Sequence, residues 1–166
     1  MSYASVNDIG RIVSPTIVAG QIDGCAMQGI GQALCEQVVY DTDNAQLLTA
    51  SLLDYALPRA DTFTDFKTCF DESIPCLTNP LGSKGVGELG TIGATPAVVS
   101  AVADALAHAG LGCDADRIQM PLTAERVWQA LQPVYANRGA STDQSAVDGE
   151  LPSSREARSA WNATRR

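Results

Sequence analysis

Gly82-Ser83-Lys84-Gly85-Val86-Gly87-Glu88-Leu89-Gly90-Thr91-Ile92-Gly93 places five glycines among twelve residues. A loop so poor in side chains can lie flat against a ligand and turn its backbone N–H groups toward it. Glu88 is the only acid in the stretch. Pressed among apolar neighbours, its carboxylate would lose solvation and could act as a general base near neutral pH. A phosphate loop is excluded by spacing, because Lys84 precedes Gly85 and no G-x-x-x-x-G-K-[ST] is present; nor is this a dinucleotide fingerprint. The plainer alternative is a glycine-rich surface turn with Lys84 and Glu88 solvated.

Beyond the loop, Pro96 suits the first turn of a helix carrying Val98, Val99, Val102, Ala105 and Leu106, ended by Gly110 and Gly112. Upstream, a helical pattern runs from Thr16 to Gln37, with Ile22, Ala26, Ile30, Ala33 and Leu34 on one side. Gln21, Gly24, Gln28, Gly31 and Gln32 share another face. Each interior glycine costs a helix about 1 kcal/mol relative to alanine, so Gly20, Gly24, Gly29 and Gly31 need a reason. One reason is a planar, heteroatom-rich cofactor such as a pterin, whose ring edge glutamine amides can satisfy as donors and acceptors. The other is close packing of a neighbouring element with the glutamines left in water.

The remaining segments read as strands at Val6 and Arg11 to Val13, a hairpin from Val38–Tyr40 to Gln46–Thr49, and a strand over Phe63–Phe70. Pro75 and Pro80 frame a loop. A last helix starts at Thr123 as N-cap and buries Val127, Trp128 and Leu131 before Pro133. The expected fold class is α+β, a single mixed domain over residues 1–137 with a glycine-rich cofactor loop. Residues 138–166 lose apolar periodicity and read as a disordered tail, with Trp161 its one large aromatic.

A formal charge of −8 disfavours nucleic acid and anionic lipid as partners. No apolar run is seen to approach the roughly 20 residues of a membrane span, and the start at Met1-Ser2-Tyr3 carries no export signal. Five cysteines without a C-x-x-C pair point to buried, reduced thiols in a cytoplasmic protein. With His108 the only histidine, and placed late in a helix, a self-contained metal site is not expected.

The ordered series Val6-Asn7-Asp8-Ile9-Gly10-Arg11-Ile12-Val13-Ser14-Pro15, Gly20-Gln21-Ile22-Asp23-Gly24, Gln28-Gly29-Ile30-Gly31-Gln32-Ala33-Leu34, Asp54-Tyr55, Asn79-Pro80-Leu81-Gly82, Lys84-Gly85-Val86-Gly87-Glu88 and Pro121-Leu122-Thr123 resembles the xanthine dehydrogenase and aldehyde oxidase family. The likeness is to the C-terminal part of its molybdenum-binding subunit and spans nearly all of residues 6 to 131.

The resemblance implies that Glu88 is the catalytic base of a molybdenum hydroxylase, which adds water-derived oxygen to an N-heterocycle, purine or aldehyde. It also implies that Gln28, Gly29, Lys84, Gly85, Val86 and Gly87 meet the molybdopterin, plain or in its cytosine dinucleotide form. Molybdenum is then held by the pterin. Iron–sulfur clusters and FAD are expected on partner chains, an iron–sulfur subunit and a flavin subunit, together with the remaining molybdenum-subunit segment. Two positions depart from the pattern: Asp8, where the family frequently has cysteine, and Cys25, where it frequently has a second glycine. Length departs more, since the family's subunits are several times longer. The competing expectation is a catalytically incomplete fragment serving only as a structural or interaction module.

Overall fold

The computed structural model describes residues 2–62 and 65–142. By contacts the chain divides into two units, Met1–Leu131 and Gln132–Arg166. The first holds the α+β elements in the order β1 (Tyr3–Asp8), α1 (Pro15–Leu34), β2 (Phe66–Asp71) and α2 (Leu89–Leu106), followed by a π turn (Ala107–Leu111), a 3-10 segment (Gly112–Arg117) and the start of α3 (Ala124–Thr142). β1 and β2 pair in parallel, Tyr3 opposite Phe66 through Asp8 opposite Asp71. A parallel pair needs a crossover element, and α1 lies within that connection.

Pro15 at the start of α1 costs no hydrogen bond there, since the first N–H groups of a helix have no internal acceptor. The expected apolar stripe is the one buried: Ile22, Ala26, Ile30 and Ala33 are nearly inaccessible, with Leu34 at the margin. Ala94 and Val98 of α2 complete this core, and Tyr3 and Phe66 close it from the strands with an edge-on ring contact at 6.1 Å.

Small residues set the helix separation. A Cβ added at Gly90 would lie 2.6 Å from the Ile22 carbonyl oxygen and 2.8 Å from the Ala26 nitrogen; one at Gly29 would lie 2.9 Å from the Thr91 carbonyl oxygen and from Ala94 Cβ. Two of the four α1 glycines, Gly29 and Gly31, are therefore explained by packing, Gly31 under Pro58. Gly20 and Gly24 have open space around them.

Several expectations are corrected. α2 begins at Leu89, so Pro96 lies inside it; the glycines of positions 90 and 93 are helical, not loop. Residues 11–13 form no strand, and the hairpin reduces to one antiparallel bridge, Tyr40 with Leu47. Thr123 does cap α3, accepting the Arg126 N–H at 3.3 Å, but Trp128 is 59% exposed and the helix continues through Pro133 to Thr142. The rest of the expected tail, Trp161 included, lies outside the described residues.

Of the cysteines only Cys25 is buried; Cys35 and Cys76 are half-buried, Cys69 and Cys113 exposed. Leu89–Ala115 is long and apolar enough to span a membrane, contrary to the expectation that no run approached that length. Its small-residue face meets α1, and Gly110, at φ 115°, interrupts it.

These contacts separate two glycines of identical helix propensity. Gly90→Ala should destabilise the chain by about 1–3 kcal/mol through overpacking against backbone, whereas Gly24→Ala should stabilise it by up to about 1 kcal/mol. Paired urea melts of the purified chain check this; equal effects would contradict the packing.

Candidate active site

The loop before α2 is tied down at its base. Gly10 and Gly82 both have positive φ, 59° and 70°, which side chains rarely adopt. At Gly10 a Cβ would also strike the Gly82 carbonyl. That carbonyl accepts the N–H groups of Arg11 and Cys76, each at 2.9 Å, while Lys84 N–H reaches the Ile9 carbonyl at 2.9 Å. Asn79 Nδ2 donates to the Ser83 carbonyl at 3.0 Å.

The Lys84 ammonium, which the resemblance implies meets the molybdopterin, has a partner within this chain. It sits 2.6 Å from Asp8 Oδ2. Asp8 and Asp71 face each other across the end of the parallel pair, a like-charge juxtaposition that Lys84 offsets. Its hydrogen bond, with the Gly10 N–H, holds the Asp8 carboxyl below the ordinary aspartate range. Asp71 is lowered as well, first by hydrogen bonds from Ser73.

From this base the loop runs free. Gly85 and Gly87 have no atom within 4 Å of an added Cβ, and Val86 is half-buried. The segment is caught again at Gly87, whose carbonyl accepts the buried Cys25 thiol at 2.8 Å. Glu88 follows as the N-cap of α2, its side chain making no cap hydrogen bond. The sequence reading supposed apolar neighbours pressed onto Glu88. Here Glu88 is exposed, and among the described residues its carboxylate has no cap hydrogen bond.

Cys25 also locates the amide face. At about 100° per residue, Gln21, Gln28 and Gln32 lie on the same side of α1 as Cys25, so the amide row runs beside the corner at Gly87 and Glu88. All three glutamines are exposed. Gln32 Oε1 lies 3.2 Å from the Thr95 hydroxyl of α2. Gly29, which the resemblance implies meets the molybdopterin with Gln28, turns its Cα toward α2, and its carbonyl takes the Thr95 hydroxyl at 3.2 Å. Helical periodicity explains the split: Gln28 and Gly29 are neighbours in sequence but about 100° apart around the axis.

Sequence reasoning missed the Thr91 and Thr95 hydroxyls, which cap carbonyls of α1, and the anchoring roles of Asp8 and Cys25. The signal was available in part, since Asp8 and Cys25 are the two departures from the family pattern and Thr91 and Thr95 are one turn apart. Among the described residues no three His, Cys, Asp or Glu side chains cluster to hold a metal.

A family profile described as a molybdopterin cofactor-binding domain matches residues 1–64. The large subunit of nicotine 6-hydroxylase from Paenarthrobacter nicotinovorans is 41% identical over 135 residues, 81% of this chain and 16% of that protein. The chain belongs to the xanthine dehydrogenase and aldehyde oxidase family. It corresponds to part of the molybdopterin-binding subunit. Quinoline 2-oxidoreductase from Pseudomonas putida 86 superposes with a TM-score of 0.69 at 40% identity, covering 79% of this chain and 16% of that one. Carbon monoxide dehydrogenase from Oligotropha carboxidovorans gives 0.72 at 30% identity, with 82% and 16% covered. The chain thus spans about one-sixth of the length of the relatives it matches.

Because the folded Asp8 carboxyl titrates below its unfolded value, the Lys84 contact stabilises the fold above about pH 4, and that contribution is lost as pH falls through the lowered value. Lys84→Met should raise the Asp8 titration toward the ordinary value, read by carbon-detected NMR, and flatten the acid-side loss of stability. Added salt should weaken the wild-type effect, since both partners are partly exposed.

Proposed function

We propose that this chain forms one wall of a cytoplasmic molybdenum hydroxylase site, with Glu88 as the base and Gln28 and the Gly85, Val86 and Gly87 backbone as molybdopterin contacts. The observation that carries the reading is an exposed carboxylate, without a cap hydrogen bond among the described residues, at the end of a glycine-rich loop and beside an exposed row of amides. A planar, heteroatom-rich ligand fits such a surface: the open Cα positions of Gly24, Gly85 and Gly87 admit close approach, and Gln28 can both donate and accept. The described residues bring no metal cluster of their own, so the metal would arrive bound to the pterin.

When bound, the cofactor supplies the two-electron redox centre for adding water-derived oxygen to carbon. This chain's residues do the rest that one wall can do. Glu88 accepts a proton at its carboxylate, free of any ion pair that would have to break first. The anchored base at Asp8, Lys84, Gly10 and Gly82 keeps the loop from swinging, and α2 fixes its far end, so that the carboxylate is presented without reorganisation. Desolvation of Glu88 would fall to segments beyond the described residues.

The substrate we assign is an N-heterocycle, purine or aldehyde, which is consistent with relatives named for nicotine and quinoline. Partner chains would carry iron–sulfur clusters and FAD to remove electrons. Leu53 and Leu77, each 93% exposed, are apolar side chains that a larger assembly would cover.

In the assembled enzyme, Glu88→Gln should cut turnover by at least about 100-fold, the scale of general base catalysis, while native mass and molybdenum content stay at wild-type values. Wild-type turnover in Glu88→Gln would overturn the base assignment. Turnover absent from the intact wild-type complex with every substrate class would favour a purely structural module.

A further inference from the structure

Cys25 touches the chain on both sides of Glu88. Its buried thiol donates to the Gly87 carbonyl at 2.8 Å, and its own carbonyl accepts the Thr91 hydroxyl at 2.9 Å. Between those two points Gly90 presses its Cα onto Ile22 and Ala26, where no side chain would fit. The five residues from Gly87 to Thr91 are therefore clamped to a single residue of α1, with Glu88 inside the clamp.

The geometry points to Cys25 as a positioning residue for Glu88: the thiol fixes the Gly87 carbonyl and so the direction in which the next residue leaves the loop. This rests on the proposed function, since the clamp matters to chemistry only if Glu88 is the base. The physical case is one of leverage. A Cβ added at Gly85 or Gly87 would meet nothing within 4 Å, so between Lys84 and Glu88 the thiol, beside the turn bond from Leu89 N–H to the Val86 carbonyl at 3.3 Å, is what ties this stretch to α1. A glycine at position 25 would offer neither donor nor bulk there. An S–H group is a weak donor, but this one is buried and aimed at a single acceptor, which raises its directing value. Misplacing a reacting group by about 1 Å can cost on the order of 100-fold in rate.

The test uses the assembled, molybdenum-loaded enzyme with four variants: Cys25→Ala, Cys25→Ser, Thr91→Val and Glu88→Gln. Cys25→Ala should lower kcat by roughly 10- to 100-fold with KM and molybdenum content unchanged, and should shift the acidic limb of the kcat pH profile. Cys25→Ser, which keeps a donor, should recover most of the rate. Thr91→Val should give a smaller loss in kcat. Independently of activity, the infrared difference between wild type and Cys25→Ala should show the Cys25 S–H stretch displaced below that of a solvent-exposed thiol.

A Cys25→Ala enzyme with wild-type kcat and pH profile, beside an inactive Glu88→Gln, would overturn the positioning role while leaving the base assignment standing. An undisplaced S–H stretch would overturn it too. Wild-type turnover in Glu88→Gln would instead remove the base, and with it any reaction for the clamp to serve.

Discussion

The structure depends on how closely α2 lies against α1. At Gly90 the second helix meets the backbone of the first without a side chain between, and Gly29 receives α2 in the same way one step farther along. Such an approach gives up apolar area, which Ala26, Ile30, Ala33, Ala94 and Val98 restore on either side as a dry seam. It also brings the Thr91 and Thr95 hydroxyls within reach of the Cys25 and Gly29 carbonyls. These bonds fix the rotation of α2, and a helix whose rotation is fixed presents its N-cap residue in one direction. That residue is Glu88.

The opposite end of the glycine-rich segment is fixed by different physics. There Gly10 and Gly82 supply backbone conformations that side chains resist, and the Gly82 carbonyl collects two N–H groups. The Asp8–Lys84 pair adds charge to the anchor. Because both ion-pair partners are partly exposed, the pair organises more than it stabilises. Between two fixed ends, Gly85 to Gly87 is left bare, a span of main chain with room above it.

Much of this was legible in the sequence. The 3.6-residue period of Ile22, Ala26, Ile30 and Ala33 gave α1 and its buried face, and the glutamine spacing gave the exposed one. The motif order led to the family before any contact was known. What escaped has a common cause: a glycine does not say whether it bends a loop or admits a neighbour. Gly90 and Gly93 looked like loop residues and are helical, so Pro96 was taken as a start when it is interior. The packing of Gly29 against α2 was equally hidden, since its spacing fits a close neighbour as well as a ligand. The ion pair of Lys84 was not legible because its partner, Asp8, is 76 residues away. The exposure of Glu88 could not be read either, since helical spacing does not say what packs over an N-cap.

One wall implies others, and the chain's share of about one-sixth of its relatives' length bears on its role more directly than any single residue. On the proposed reading, the amide row, the bare loop and the exposed Glu88 would meet a ligand that the described residues alone do not enclose. The deciding measurement is the native mass and molybdenum content of the species that contains this chain, isolated from its own source with neighbouring proteins intact. The account predicts a large complex with molybdenum in stoichiometric amount. A lone, metal-free chain would contradict it.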